Sequence, residues 1–269
     1  MTLRSPNPHS SLIFSKATFR MTDFTTDRAA PERVLAISAH PDDSELQAGG
    51  TLAKWAAAGC EVSIVVCTDG SKGTWNPDAD LAELIAARQS EQRAAATALG
   101  ATGTVGFCEW VDGELVQNPA NVRKLTEWIR RLRPTIVITH DPWKRYRLHP
   151  DHRAAGFLVS DAVVAARDPH FFPDMEYTHH RPDEVWYFEA DEPNHVENVD
   201  GWLKTKITSL EQHVSQLEST MGIASDHDQA GHAQFVADIH DAADRAAHLV
   251  QSDMSGFTAG EAFYRLTDV

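Results

Sequence analysis

The amino-acid sequence predicts an α/β fold in which a parallel sheet is covered by helices on both faces. Short apolar runs rich in Val, Ile and Leu alternate with longer amphipathic segments, and this βαβα order is typical of parallel sheets. The chain has 269 residues, 42% of them hydrophobic, which is enough to bury both faces of such a sheet in one large domain.

The predicted strands are apolar runs too short to form helices. Continuous apolar runs are typical of strands buried on both faces of a parallel sheet. They occupy residues 33–39, 62–67, 104–107, 135–139 and 184–188.

The predicted helices show apolar residues at helical spacing and clear stop signals. Gly59 and Gly100 stand just past the ends of two of them, and Pro134 closes a third. After Glu189 the chain is predicted to be helical, so the fold is Rossmann-like with a helical C-terminal region. The helices occupy residues 46–58, 81–99, 122–132, 152–166, 199–217 and 229–250.

The domain organisation is one domain over residues 31–269, preceded by a disordered extension over residues 1–30. Residues 1–20 contain no acidic residue and weakly resemble a transit peptide. We interpret them as a disordered tail, or as the product of an upstream start codon with Met21 as the true start.

Composition excludes several classes of partner. The net charge of −15 and the pI of about 5.3 make nucleic acid an unfavourable partner. No apolar run reaches the roughly 18 residues of a membrane span. Cys60, Cys67 and Cys108 are scattered and predicted to be core thiols, which favours a cytoplasmic protein. The expected partner is a small-molecule substrate.

Two copies of the tripeptide His-Pro-Asp follow two of the predicted strands. The first copy, with a further Asp, fills residues 40–43, and the second, with a further His, fills residues 149–152. Because the carboxyl ends of parallel strands meet at one edge of a sheet, we expect both motifs there. Residues 68–70, which follow a neighbouring strand, either join them or form a plain turn. Imidazole and carboxylate groups in this number are typical of a catalytic metal site.

Zinc in hydrolases is held by three protein ligands, with water in an open fourth position. His40 and Asp43 lie three residues apart at a strand-to-helix turn, so both can face one point. His152, at the start of a helix, is the natural third ligand. Asp42 beside the water fits a general base. His149, held charged by Asp151, fits an oxyanion stabiliser.

The alternative interpretation of these motifs is structural. A lone His-Pro-Asp is more often a turn in which Pro restricts the backbone and Asp caps the next helix. Two copies at one sheet edge, each extended by a further ligand-type residue, favour the metal site instead.

Residues 39–46, followed by Gly49-Gly50-Thr51-Leu52-Ala53, resemble the signature of the LmbE-like, or PIG-L, zinc deacetylases. Residues 149–152 look like the family's second metal motif. The resemblance covers about residues 33–265. It implies one zinc ion per chain and assigns these roles: ligands His40, Asp43 and His152, general base and acid Asp42, and oxyanion stabiliser His149 oriented by Asp151.

Further segments resemble the family less specifically. Arg88 and Glu91 look like its Arg-x-x-Glu helix, which implies a substrate contact by Arg88; an exposed salt bridge is the alternative. Asp112 fits a family position near the substrate. The remaining matches are Lys206, His213, Ser215, Gln216 and the Glu-Ala-Phe at residues 261–263.

The loop before the second motif departs from the family in bulk and positive charge. Tyr146 resembles a Tyr that assists the oxyanion in some members, but one extra residue separates it from His149. Arg145 and Arg147 form either a solvated loop or a clamp for an anionic group on the substrate.

The predicted function is removal of an N-acyl group, favoured to be acetyl, from an amino sugar or its conjugate. The alternatives are a metal-dependent amidase acting on a non-sugar amide such as a thiol conjugate, and a non-catalytic small-molecule-binding protein. The general base Asp42 argues against the last. A homo-oligomer is also expected, with the apolar stripe of residues 229–250 at the interface.

Overall fold

A mixed sheet of eight strands forms the centre of the computed structural model, which describes residues 24–225, 227–250 and 256–269. The strands are β1 (Thr25–Thr26), β2 (Arg33–Ser38), β3 (Glu61–Thr68), β4 (Val105–Trp110), β5 (Ile136–His140), β6 (Glu184–Phe188), β7 (His195–Asn198) and β8 (Gly260–Thr267).

The strand order across the sheet is β1-β7-β8-β6-β5-β2-β3-β4. The five predicted strands form the contiguous parallel half, from β6 to β4. β8 runs antiparallel to both of its neighbours, β6 and β7. The predicted α/β fold is confirmed.

The helices are α1 (Asp43–Ala57), α2 (Leu81–Leu99), α3 (Pro119–Leu132), α4 (Pro150–Arg167), α5 (Leu203–Leu210) and α6 (Gln229–Ala247), with a 3-10 helix at Val214–Gln216. The ends of α2 are those predicted, because the Asp80 side chain caps its first turn and Gly100 takes the left-handed conformation after its last.

The C-terminal region differs from the prediction in two ways. It contains β7 and β8, which sequence reasoning missed because neither is an apolar run. In β7 the buried pair His195 and Glu197 replaces apolar side chains, with Nε2 and Oε2 2.8 Å apart. The predicted helix 199–217 is also wrong: α5 has only eight residues, and a turn then brings His213 into the interior.

The core lies on both faces of the parallel half of the sheet. On one face, β2 side chains such as Val34 pack with Leu52 and Trp55 of α1. On the other, β2 side chains such as Leu35 pack with Ile129 of α3. Alternate residues of the same strand therefore enter different cores, as expected for a strand covered on both sides.

Residues 24–30 belong to the domain, not to the predicted extension. β1 pairs with β7, and Arg28 Nε donates to the buried Glu184 Oε1 at 2.7 Å. The boundary at residue 30 is therefore wrong, because these contacts are made before it. The rest of the predicted extension, residues 1–23, lies outside the described residues.

The apolar stripe of α6 packs inside the molecule. Phe235, Ile239 and Ala243 are buried in a cluster with Leu203 and Ile207 of α5. The stripe is therefore not a free face for self-association, contrary to the prediction. In the part of the chain that the structure describes, no helix has the length and apolar character needed to cross a membrane.

Candidate active site

Neighbouring strands bring the two His-Pro-Asp motifs together. β2 and β5 are paired in parallel, and the segments after them lead to the first turns of α1 and α4. Residues of both motifs line one cavity of about 420 Å³ at this edge of the sheet. The expectation from strand order is met, because both motifs follow the carboxyl ends of adjacent strands.

Ring nitrogens of His40 and His152 and both carboxylate oxygens of Asp43 lie close together in this cavity. His40 Nδ1 lies 3.2 Å from His152 Nε2 and 3.3 Å from Asp43 Oδ2, and His152 Nε2 lies 3.4 Å from Asp43 Oδ1. Metal–ligand bonds of about 2.0–2.2 Å in tetrahedral geometry require donor separations of about 3.3–3.6 Å. The residues present therefore fit a metal ion, and their imidazole and carboxylate donors suit zinc.

His40 is oriented by two carboxylates that contact its Nε2, the ring nitrogen that does not face Asp43 and His152. Its Nε2 lies 3.2 Å from Asp112 Oδ1 and 3.2 Å from Asp151 Oδ2. A proton held on Nε2 by these acceptors leaves the Nδ1 lone pair facing Asp43 and His152. Burial disfavours charge on His40, but the hydrogen bonds with Asp112, Asp151 and Asp43 raise its pKa well above the usual value. A metal at Nδ1 would therefore displace a proton.

Burial and neighbouring cationic groups favour the neutral form of His152. Burial, with His140, Arg147 and His40 nearby, lowers its pKa to about 3, although Asp43 acts in the opposite direction. The imidazole is therefore neutral at physiological pH, as a ligand must be.

Asp42 is buried beside the donor cluster. Burial raises the pKa of its carboxyl group to about 6, against the opposing effect of the Arg88 guanidinium. A carboxylate with a pKa near the working pH is suited to accepting and returning a proton. Thr220 Oγ1 also donates to Asp42 Oδ2 at 3.3 Å.

His149 is exposed and lines the cavity beside the donor cluster. Its ring centroid is 4.5 Å from that of His40 and 4.8 Å from that of His152. The role predicted for Asp151, to orient His149 and hold it charged, stays a prediction, although the Asp151 charge acts to raise the pKa of His149. The Asp151 carboxylate lies on His40 and accepts from Gly113 N, while burial and the neighbouring His40 lower the pKa of His149.

Two residues of this site were missed in the sequence. His140, the last residue of β5, is buried; its Nε2 accepts from Ala39 N at 3.1 Å and lies 3.3 Å from Asp43 Oδ2. Glu189 Oε2 lies 3.6 Å from His140 Nδ1. The signal for His140 was its position at the end of a predicted strand next to the first motif.

Two predicted substrate contacts instead bind the protein. Arg88 is only 2% exposed, and it donates to Gly70 O at 2.8 Å and to Pro41 O at 2.9 Å. Asp112 binds His40 and accepts from Lys72 N at 3.0 Å. Both line the cavity, but their polar atoms serve to support its walls.

The loop before the second motif is placed differently from the prediction. Tyr146 is 96% exposed and does not line the cavity. Arg145 pairs with Asp191 at 3.3 Å and lines a separate cavity. Only Arg147 reaches the site, where its Nε lies 2.9 Å from His152 Nδ1 and its Nη1 donates to Glu189 at 2.7 Å. A clamp made of both arginines is therefore wrong.

The less specific motifs contact one another. Ser215 donates its N–H and hydroxyl to Glu91 at 2.9 and 2.6 Å. Lys206 Nζ donates to Glu261 at 2.7 Å, and Glu261 also accepts from Gly50 N at 2.9 Å. These contacts tie the C-terminal region to α1 and α2, the helices that carry or flank the first motif.

Residues 68–70 form a turn that supports the cavity. Thr68 Oγ1 donates to Ala39 O at 2.9 Å, and Asp69 Oδ1 accepts from Asp112 N at 3.1 Å. The side chains that line the cavity come from the next residues of this loop, among them Lys72 and Trp75.

Solved structures share the fold over nearly the whole chain. The N,N'-diacetylchitobiose deacetylase from Pyrococcus horikoshii is 27% identical, with a TM-score of 0.75, and the match covers 88% of this chain and 84% of that one. The 4-carboxy-2-hydroxymuconate hydratase from Pseudomonas putida is 19% identical, with a TM-score of 0.71, covering 88% and 97%. The second likeness shows the fold alone. Fold and site together define an α/β protein with a possible His/Asp metal site.

Sequence similarity identifies the family within that class. Residues 35–163 match the family model PIG-L, GlcNAc-PI de-N-acetylase. The diacetylchitobiose deacetylase of Thermococcus kodakarensis is 32% identical over 77% of this chain and 77% of its own. The 1D-myo-inositol 2-acetamido-2-deoxy-alpha-D-glucopyranoside deacetylase of Actinosynnema mirum is 35% identical over 51% of this chain and 56% of its own. The chain belongs to the PIG-L family.

Proposed function

We propose that this protein is a zinc-dependent N-deacetylase acting on an N-acetylated amino sugar or its conjugate. The observation that carries the proposal is the grouping of metal-type donor atoms from His40, Asp43 and His152 beside a buried carboxylate, Asp42, whose pKa is raised to about 6. The named relatives act on diacetylchitobiose and on a GlcNAc-type inositol conjugate, and both of these carry an acetylated amino sugar.

The chain's own residues divide the reaction between them. His40, Asp43 and His152 would hold the metal, which when bound would polarise the amide carbonyl and acidify water. Asp42 accepts the proton of the attacking water and returns it to the leaving amine.

His149 remains a candidate oxyanion donor although burial lowers its pKa. Its Nδ1 accepts from Asp151 N at 3.3 Å, so the proton of the neutral ring is on Nε2. That N–H can donate to an oxyanion formed at the mouth of the cavity.

Acetate release is the test of this function. The protein, stripped with chelator and reloaded with zinc, is assayed on N-acetylglucosamine, diacetylchitobiose, a GlcNAc–inositol conjugate and an acylated non-sugar amine. We expect zinc-dependent acetate release from the sugars. Release from the non-sugar amine alone would favour the amidase alternative, and release from none would contradict the proposal.

We further propose a cytoplasmic homo-oligomer. The cysteines are free thiols, which fits a reducing compartment. Large apolar side chains are exposed, among them Trp75, Tyr146 and Leu148, and such surface is typical of interfaces. Light scattering at micromolar concentration checks the assembly, and a monomeric mass would contradict it.

A further inference from the structure

Asp42 has a backbone conformation that residues other than glycine rarely adopt. Its φ is 97° and its ψ is −30°. A conformation of this kind is strained and persists only where the surroundings hold it. Because Asp42 is the proposed general base, the contacts that hold its backbone also aim its carboxylate.

Two side chains of α2 hold the peptide bond before Asp42 at both of its polar atoms. Arg88 Nη2 donates to the Pro41 carbonyl oxygen at 2.9 Å, and the Asp42 N–H donates to Gln92 Oε1 at 3.1 Å. Arg88 and Gln92 are four residues apart, so they lie on one face of the helix, and both are buried. Rotation of this peptide plane would break both hydrogen bonds.

The orientation of the Gln92 amide is fixed by its hydrogen bond to Glu45. Its Nε2 donates to Glu45 Oε1 at 2.5 Å, and a carboxylate can only accept. A flipped amide would turn its oxygen towards that carboxylate and its NH₂ towards the Asp42 N–H. Gln92 and Glu45 are both fully buried, so water cannot substitute for either bond.

A third buried polar side chain, His213 of the C-terminal region, lies next to Glu45. Glu45 Oε2 lies 3.8 Å from His213 Nε2, and neither atom has a hydrogen-bond partner among the described residues. A fully buried polar group without a hydrogen bond lowers the free energy of unfolding. The retention of Glu45 and His213 in such positions argues that they do more than fill space.

We propose that Gln92, held by Glu45, is a positioning residue that keeps the Pro41–Asp42 peptide in this orientation and so aims the Asp42 carboxylate into the cavity. The inference rests on the proposed deacetylase function. Gln92 is fully buried and does not line the cavity, so its loss acts on kcat rather than on KM.

Gln92→Leu removes both hydrogen bonds at similar side-chain volume. We expect kcat to fall about 10- to 100-fold, as for a displaced catalytic group, with KM within about twofold and zinc content unchanged. Gln89→Leu is the matched control, because Gln89 lies on the same helix and bonds Glu109 at the surface. That variant keeps the wild-type kcat.

A reciprocal exchange separates positioning from general destabilisation. Gln92→Glu alone sets a carboxylate against Glu45 and also lowers kcat. The double variant Gln92→Glu with Glu45→Gln exchanges amide and carboxylate and can restore both hydrogen bonds, so kcat recovers to within about threefold of wild type. Full activity in Gln92→Leu, or no recovery in the double variant, overturns the inference.

A crystal structure of the Gln92→Leu variant shows the backbone conformation of Asp42 without depending on a measurement of turnover. We expect the Pro41–Asp42 peptide to rotate and the φ of Asp42 to leave the positive region. An unchanged peptide overturns the inference. If the wild-type protein releases no acetate from any amino sugar, the proposed function fails, and this structure still decides the role of Gln92.

Discussion

At the scale of single residues, the site depends on two adjacent carboxylates, Asp42 and Asp43, that face different groups. Asp43 faces the two imidazoles, and Asp42, the next residue, turns the other way beside Arg88. The positive φ of Asp42 produces this divergence, because it rotates one side chain relative to the next. Adjacent carboxylates thereby have separate tasks, one as a candidate ligand and one as a candidate base.

Asp42→Asn should keep the metal and lose turnover. Asparagine preserves the shape of the side chain but cannot carry a proton, so kcat is expected to fall roughly 10²–10⁴-fold. Metal content by elemental analysis and acetate release are measured on the same preparation. Near wild-type turnover in a metal-loaded variant would exclude Asp42 as the base.

Trp75 is expected to bind the part of the substrate beyond the acetylated ring. It lines the cavity yet is 76% exposed, so its indole face is open to a second ring. We expect Trp75→Ala to lower kcat/KM on diacetylchitobiose about tenfold, equivalent to about 1.4 kcal/mol, and to leave N-acetylglucosamine unchanged.

Trp143→Ala is the control for this experiment. Trp143 is 61% exposed but lines a different cavity, so its replacement should affect neither substrate. Equal losses on both sugars in the Trp75 variant would mean that Trp75 shapes the loop instead of binding substrate.

At the scale of elements, ion pairs join the parallel and antiparallel halves of the sheet. Glu184 on β6 accepts from Arg265 of β8 at 2.7 and 2.9 Å and from Arg28, just after β1, at 2.7 Å. β8 is thus tied to β6 by charge as well as by backbone pairing, and the segment after β1 is tied to β6 by charge.

The Glu184 contacts should make stability depend on pH. Burial alone would raise the pKa of Glu184, but hydrogen bonds from Arg265, Trp186 and Arg28 lower it from 4.5 to about 2. Because this pKa is lower in the folded state, the ionised carboxylate stabilises the folded protein at pH values above the unfolded-state pKa. This stabilisation is lost as the pH falls towards 2. The stability advantage over Glu184→Gln should therefore shrink by about 2 kcal/mol between pH 7 and pH 3.

Urea unfolding of both proteins across this pH range measures the difference. Glu127→Gln, which removes a half-exposed surface pair with Lys124, serves as the control and should differ little from wild type at any pH. A constant difference for the Glu184 variant would show that its carboxylate is not held in this way.

At the scale of the whole molecule, the C-terminal region closes around a site built by the N-terminal part. Gln216 donates to Gly73 O at 3.0 Å, and Thr220 reaches Asp42. Both side chains line the same cavity as the two His-Pro-Asp motifs. The site therefore requires the folded chain, and a metal held there should report on folding as a whole.

Zinc should stabilise the folded protein by mass action. At a free concentration of about 100 times Kd, a ligand that binds only the folded state adds about 2.7 kcal/mol, or about 5–10 °C in Tm for a domain of this size. Thermal melts with chelator and with added zinc measure the shift. His152→Ala should abolish it, and an equal shift in that variant would place the zinc elsewhere.

The sequence by itself determined the parallel half of the sheet and the residues of the two motifs. Apolar runs such as that of β5 reveal buried strands, and the end of α2 is set by a local signal, Gly100. The grouping of His40, Asp43 and His152 followed as well, because adjacent parallel strands end at one edge.

Tertiary structure decided what those residues touch. The partners of Asp151, Arg88 and His140 come from distant segments, and spacing along the chain does not encode such contacts. β7 was hidden because a buried His195–Glu197 pair replaces apolar side chains, a solution that only three-dimensional packing can satisfy. For the same reason, the contact between Gln92 and the backbone of Asp42, fifty residues apart in sequence, was visible only in the folded chain.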